Sequence, residues 1–177
     1  DGNVVLDSGT GLGINRAGFV IHSAIHRGRP DVACVIHTHT PAGMAVSAME
    51  CGLLPLTQNA MYFAGLGYHD YEGPAVDLDE QKRLVKDLGK HEAMVLRNHG
   101  LLSVGTTIPE AFVTIYWLER ACQAQVFAMN TKLNVPSSDV VSVTNDRYKP
   151  GQRRNIGALE WQGLLRLVER RYPGFRD

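Results

Sequence analysis

Three histidines stand where imidazole chemistry is possible. His37 and His39 follow the apolar run Val32-Ala33-Cys34-Val35-Ile36, and the two-residue period of a strand turns both rings to one face. Two imidazoles on one rigid strand begin a site for a divalent transition metal, although an isolated HxH pair is more often a pair of polar strand-end residues. His99, 60 residues after His39, closes a second apolar run and precedes Gly100, where the missing side chain allows close approach of backbone or substrate. Three histidines at strand ends make the usual core of an open catalytic centre: three protein ligands and a free position for water or substrate. The ion itself is not encoded, because imidazole accepts zinc, iron, cobalt, nickel and copper.

The elements that must position these residues follow from periodicity. Val4–Leu6 reads as a strand after an Asp1-Gly2-Asn3 hairpin tip, and Gly9-Thr10-Gly11-Leu12-Gly13 as a turn, since no GK[ST] follows to make a phosphate loop. Phe19, Ile21, Ala24 and Ile25 predict a helix over 17–27, ended by Pro30. Val32–Ile36 is a buried strand, Pro41 to Met49 a helix stopped by Gly52, and Leu54–Thr57 a further strand. Asp77 and Glu80 form a capping box for a helix to Leu88. Ala93–Leu96 and Leu101–Val104 are strands separated by Arg97-Asn98-His99-Gly100. Thr107, Pro109 and Glu110 start the longest helix, which reaches Met129. A last amphipathic helix, Ala158–Arg171, is expected to bury Leu159, Leu164, Leu165 and Val168 before Pro173. Alternating α and β segments imply an α/β fold with helices on both sheet faces.

Composition removes several classes of function. The 177 residues fit one domain, 1–177, with 44% hydrophobic and 20% charged residues. Lys plus Arg equals Asp plus Glu at 18 each, which argues against a nucleic-acid partner, because phosphate contacts demand basic excess. Residues 147–177 carry eight basic and three acidic residues, an excess that a solvated surface accounts for. No stretch approaches the roughly 20 apolar residues needed to span a bilayer. Cys34, Cys51 and Cys122 show no CxxC spacing and read as free thiols in a reducing, cytoplasmic compartment. A start at Asp1, at a turn, suggests that an N-terminal segment is missing.

Other HxH families fail on spacing. TIM-barrel metal hydrolases need about 250 residues. Cupins expect a Glu a few residues after HxH, whereas the first acid here is Glu50, and metallo-β-lactamase-like enzymes expect an acid and another His where Thr40-Pro41-Ala42 stands. The composite Arg29-Pro30-Asp31-Val32, Val35-Ile36-His37-Thr38-His39 and Arg97-Asn98-His99-Gly100-Leu101-Leu102 instead resembles the class II aldolase/adducin head domain family, from about Ile14 to Met129. The resemblance implies a three-layer α/β/α sandwich with a central, mostly antiparallel sheet. It implies His37, His39 and His99 as ligands of a divalent ion, zinc first, with manganese, iron, cobalt or nickel as alternatives. It also implies a small hydroxy-carbonyl or sugar-like substrate cleaved or epimerised through a metal-stabilised enediolate, and a homotetramer with sites between subunits.

Two departures qualify that chemistry. Family aldolases carry a catalytic Glu 19 residues before the first ligand, a place held here by Gly18, and Arg16-Ala17 replace the serines that help bind substrate phosphate. A glycine transfers no proton, so the catalytic base is unassigned. The alternative is an adducin-like interaction domain without catalysis. Adducin heads have lost the ligands that this chain retains, which favours metal binding. A metal-stabilised scaffold is a third option. His22 and His26 lie i, i+4 on a helix and read as packed residues, His69 as a loop residue, and His91 as exposed. Tyr148 and Tyr172 are noted because family members use a C-terminal tyrosine as proton donor, but no motif selects either.

Overall fold

A computed structural model describes residues 3–73 and 79–176. Its four-stranded sheet comprises β1 (Cys34–Thr38), β2 (Gly67–His69), β3 (Ala93–Leu96) and β4 (Gly100–Gly105), in the order β1-β4-β3-β2. β4 pairs antiparallel with both β1 and β3, whereas β2 runs parallel to β3. β3 and β4 are buried along their whole length, which is why they read as continuous apolar runs and not as alternating ones.

Alternate residues of these strands enter two separate cores. Met94, Leu96, Leu102 and Val104 pack with Val20, Ile21, Ala24 and Ile25 of α1 (Arg16–Gly28) and with Leu84 and Leu88 of α4 (Glu80–Leu88). Ala93, Val95 and Leu101 pack with residues of α2 (Pro41–Ser47), α3 (Gln58–Tyr62) and α5 (Ile108–Ala128). Val35 belongs to the first core. His37, two residues on, therefore emerges toward α1. Helices α6 (Ser138–Tyr148) and α7 (Ala158–Arg171) follow on the outside.

Several expectations need correction. Val4–Leu6 forms no strand and is exposed, with Val5 98% accessible, because no described strand pairs with it. The hairpin tip at Asp1-Gly2 and the cap at Asp77 lie outside the described residues. Leu54–Thr57 is irregular: Pro55 can donate no ladder hydrogen bond, and the Leu54 amide is taken by Gln125 Oε1 at 2.6 Å. β1 begins and ends two residues later than the apolar run suggests, so His37 lies within it. α7 has the expected bounds but buries nothing fully, and Leu159 is 70% exposed. Its apolar stripe meets α5 through Trp161 against Phe112, ring centroids 5.6 Å apart. Cys34 is half-buried, Cys51 exposed and Cys122 buried, all three unbridged.

Candidate metal centre

Each of the three imidazoles is held by a different device. His37 projects from β1, where it pairs with Leu102, and its Nδ1 donates to the Leu101 carbonyl at 2.9 Å. That bond fixes the tautomer and leaves the Nε2 lone pair free beside His39. His39 lies one residue beyond β1, with Nε2 2.8 Å from Nε2 of His37. His99 comes from the turn before β4: its amide bonds the Leu96 carbonyl at 3.1 Å, and Asn98 before it takes a left-handed φ of 54°. All three pairs of ring centroids are 4.7 Å apart, and one nitrogen from each ring lies within 4.8 Å of the others. The spacing of residues in the sequence thus becomes a single cluster.

Burial favours the ligating form. Desolvation pulls the His37 pKa from 6.5 down to about 4, opposed by its bond to Leu101 and reinforced by the charges of His99, His39 and His22. His99 is lowered as well, first by burial and then by His39. Both imidazoles are therefore neutral near pH 7, the state that binds metal. An all-imidazole donor set fits zinc, iron, cobalt, nickel or copper, and suits manganese, which prefers oxygen, less well.

Helix α1 lies near His99 and His37. Ile21 lines a small cavity with His69, Tyr71 and His99, and the charge of His22 reaches His37. Gly18 precedes Ile21 and His22 by three and four residues and so shares their helix face. Its amide donates to Asn15 Oδ1 at 3.1 Å, as the third residue of a capped helix should. No side chain extends from this position. Tyr71, 52% exposed, has its ring 6.0 Å from that of His99.

The other histidines separate clearly. His26 Nδ1 lies 3.3 Å from the Val32 carbonyl, and His91 is exposed. His69 is not a loop residue: it ends β2, is 4% exposed, and sits between Asp87 Oδ2 at 2.8 Å and Glu80 Oε1 at 3.4 Å. The signal missed in the sequence is the seven-residue spacing of Glu80 and Asp87, which puts two acids on one face of α4 and calls for a buried partner. Tyr148 receives Gln58 Nε2 at 2.6 Å and packs on Tyr62, while Tyr172 is exposed. Neither joins the three histidines. A cavity of about 510 Å³ lined by Tyr62, Lys90, Glu92 and Tyr148 lies beyond the Ala93 end of β3, away from His99.

Gly100 is the tightest point. A Cβ there would stand 2.3 Å from the Thr38 carbonyl oxygen and 3.3 Å from His39 Cδ2. Gly100→Ala must push β1 from β4 or displace His39. Overpacking of this kind costs about 1–3 kcal/mol, so a lowered melting temperature together with reduced metal uptake is expected. Unchanged values of both would contradict the close contact.

Known structures place this architecture in a class. A crystal structure of an aldolase II superfamily protein from Pseudomonas syringae superposes with a TM-score of 0.91 at 45% identity, covering 100% of this chain and 72% of that one. The chain belongs to the class II aldolase and adducin N-terminal domain family, whose profile matches residues 1–126. L-fuculose 1-phosphate aldolase from Glaciozyma antarctica PI12 superposes with a TM-score of 0.73 at 30% identity, over 89% of this chain and 60% of its own. Rat alpha-adducin is 39% identical over 99% of this chain, which spans 27% of the adducin. Relatives thus include both a named enzyme and adducins.

Proposed function

We propose that the protein is a divalent-metal-dependent, lyase-like enzyme of aldolase or epimerase type acting on a small hydroxy-carbonyl or sugar-like compound. The observation that carries this reading is the convergence of His37, His39 and His99 within 4.8 Å. These residues would hold the ion, zinc by preference. When bound, the ion supplies a Lewis acid beside the oxygens of the substrate, stabilising developing negative charge by several kcal/mol. The chain's own contribution is placement: Leu101 orients His37, Gly100 admits the His39 ring, and Ile21 of α1 lines a small cavity beside His99. Residues 1–177 are read as one domain of the three-layer, mostly antiparallel type, working in the cytoplasm. Among the described residues no helix is long and apolar enough to cross a membrane.

Gly18 supports a second reading, an adducin-like interaction domain that retains the fold without turnover. Two measurements separate the readings. Protein purified without chelator is assayed for bound zinc and transition metals, then given a panel of sugars and hydroxy acids. Metal with product formation supports the enzyme, metal without product a stabilised scaffold, and neither the adducin-like domain.

Assembly is part of the proposal. Tyr71 and His39 are exposed, and a neighbouring subunit would enclose a substrate beside them. A homotetramer is the expected mass in light scattering of the full-length protein at micromolar concentration. A monomer would contradict it.

A further inference from the structure

Helix α2 connects two of the three histidines. It starts directly after His39, with Thr40 as N-cap, and at its other end the Ser47 carbonyl accepts the amide of Asn98 at 3.1 Å. Asn98 is the residue whose left-handed conformation turns the chain into His99. Any shift of this seven-residue helix therefore moves His39 from one end and His99 from the other.

What fixes α2 is unusual for this protein. Three helices begin at threonine. Thr57 and Thr107 cap their own helices, accepting the amides of Ala60 and Glu110. Thr40 makes no such bond. Its hydroxyl donates instead to Glu119 Oε2 on α5, and the same oxygen accepts the Gly43 amide at 3.2 Å. The second oxygen, Oε1, accepts Gln123 Nε2 at 3.0 Å. A carboxylate from another helix thus does the work that the local hydroxyl would ordinarily do, and does it where the helix dipole favours negative charge. Gly43 completes the arrangement: a Cβ there would come within 2.7 Å of the Leu101 side chain, and the Leu101 carbonyl holds His37.

We infer that Glu119 is a positioning residue for the histidine cluster, tying α2 to α5 so that His39 and His99 keep the separation needed to share one ion. The inference rests on the proposed metal centre. If stability of α2 were the only requirement, Thr40 capping Gly43 locally would meet it, as Thr57 and Thr107 do. A bond to another element, unlike a local cap, adds to the packing of Ala42 and Val46 and to the Ser47–Asn98 bond in fixing where α2 lies.

The test uses cobalt(II), whose visible spectrum reports coordination geometry, titrated into wild-type protein, Glu119→Ala and Glu119→Gln, each also melted thermally. Glu119 touches no histidine itself, so its effect should lie at or below the lower end of the roughly 10–100-fold that a direct partner of a metal ligand contributes. Glu119→Ala should bind cobalt about 10-fold more weakly with an altered spectrum, while Glu119→Gln, whose amide oxygen still accepts from Thr40 and Gly43, should stay within about threefold. A merely structural role would lower the melting temperature and leave the dissociation constant and spectrum of the folded protein alone. Wild-type affinity and spectrum in Glu119→Ala overturn the inference. Should that variant not fold, Thr40→Val removes only the hydroxyl: weakened cobalt binding supports the tie, and unchanged binding overturns it. Absence of cobalt binding by the wild-type protein would instead sink the metal-centre reading on which the inference stands.

Discussion

Zinc-loaded wild-type protein is expected to cleave L-fuculose 1-phosphate about 10²–10⁴-fold more slowly than an aldolase that has a positioned carboxylate, the range that one general base commonly contributes. Carbon–carbon cleavage beside a carbonyl needs a group to take the hydroxyl proton as the bond breaks. By the resemblance to class II aldolases, that group is a Glu at the position of Gly18. Gly18 shares a helix face with Ile21, which lines a small cavity with His99, and His22, whose charge reaches His37. It carries no side chain that could supply a base there. Arg16 and Ala17 likewise stand where phosphate-binding serines are expected. The measurement is aldehyde release, with the Glaciozyma antarctica enzyme as the positive control. Turnover within tenfold of that control would show that the missing carboxylate does not matter. Gly18→Glu is the natural companion: a Cβ there meets nothing nearer than Asn15 Cγ at 3.7 Å, and replacing a helical glycine adds about 1 kcal/mol of stability. Its turnover should exceed that of the wild type.

His39→Ala is expected to abolish stoichiometric metal binding while leaving the fold intact. His39 is exposed and lies outside β1, and exposed substitutions usually stay within about 0.5 kcal/mol. Its removal deletes one of three donors. Losing an outer-shell partner already costs about 10–100-fold in affinity, and losing a ligand should exceed that. Metal stoichiometry after dialysis, together with a thermal melt, checks both halves. A variant that retains full metal content would remove His39 from the centre.

The clustering of His37, His39 and His99 was legible because short-range rules met a family resemblance that implied it. Strand periodicity placed His37 and His39 together, and apolar runs bracketed the turn holding His99. β3 and α7 match the expected bounds, and α5 nearly so, for the same reason: strong patterns with clear ends. Elements that depend on distant partners were not legible. β2 is three residues long and exists as the parallel neighbour of β3. Helix α6 buries no residue and contains several β-branched side chains, so neither periodicity nor propensity announces it. The roles of His69 and Glu119 were hidden for a related reason. Each is defined by side chains far away in sequence: Asp87 and Glu80 for the first, Thr40 and Gly43 for the second. A threonine at the start of a helix looks the same whether it caps its own helix, as at Thr107, or donates to a carboxylate on another one, as at Thr40.

The bond from His37 to the Leu101 carbonyl has a consequence for how the chain folds. The residues it joins are separated by 64 positions, so no fragment containing only one of them can assemble the cluster, and a long loop must close first. Pairing of β1 with β4 in the observed register sets Thr38 opposite Leu101. A slip of one residue would turn His37 toward the opposite face of the sheet. An ion that requires all three histidines would therefore stabilise only chains that have already paired correctly, and its binding energy would be added to the native register alone. In that sense metal uptake would proofread the sheet. Refolding in the presence of zinc would enrich the correctly paired product without hastening the loop closure that precedes it.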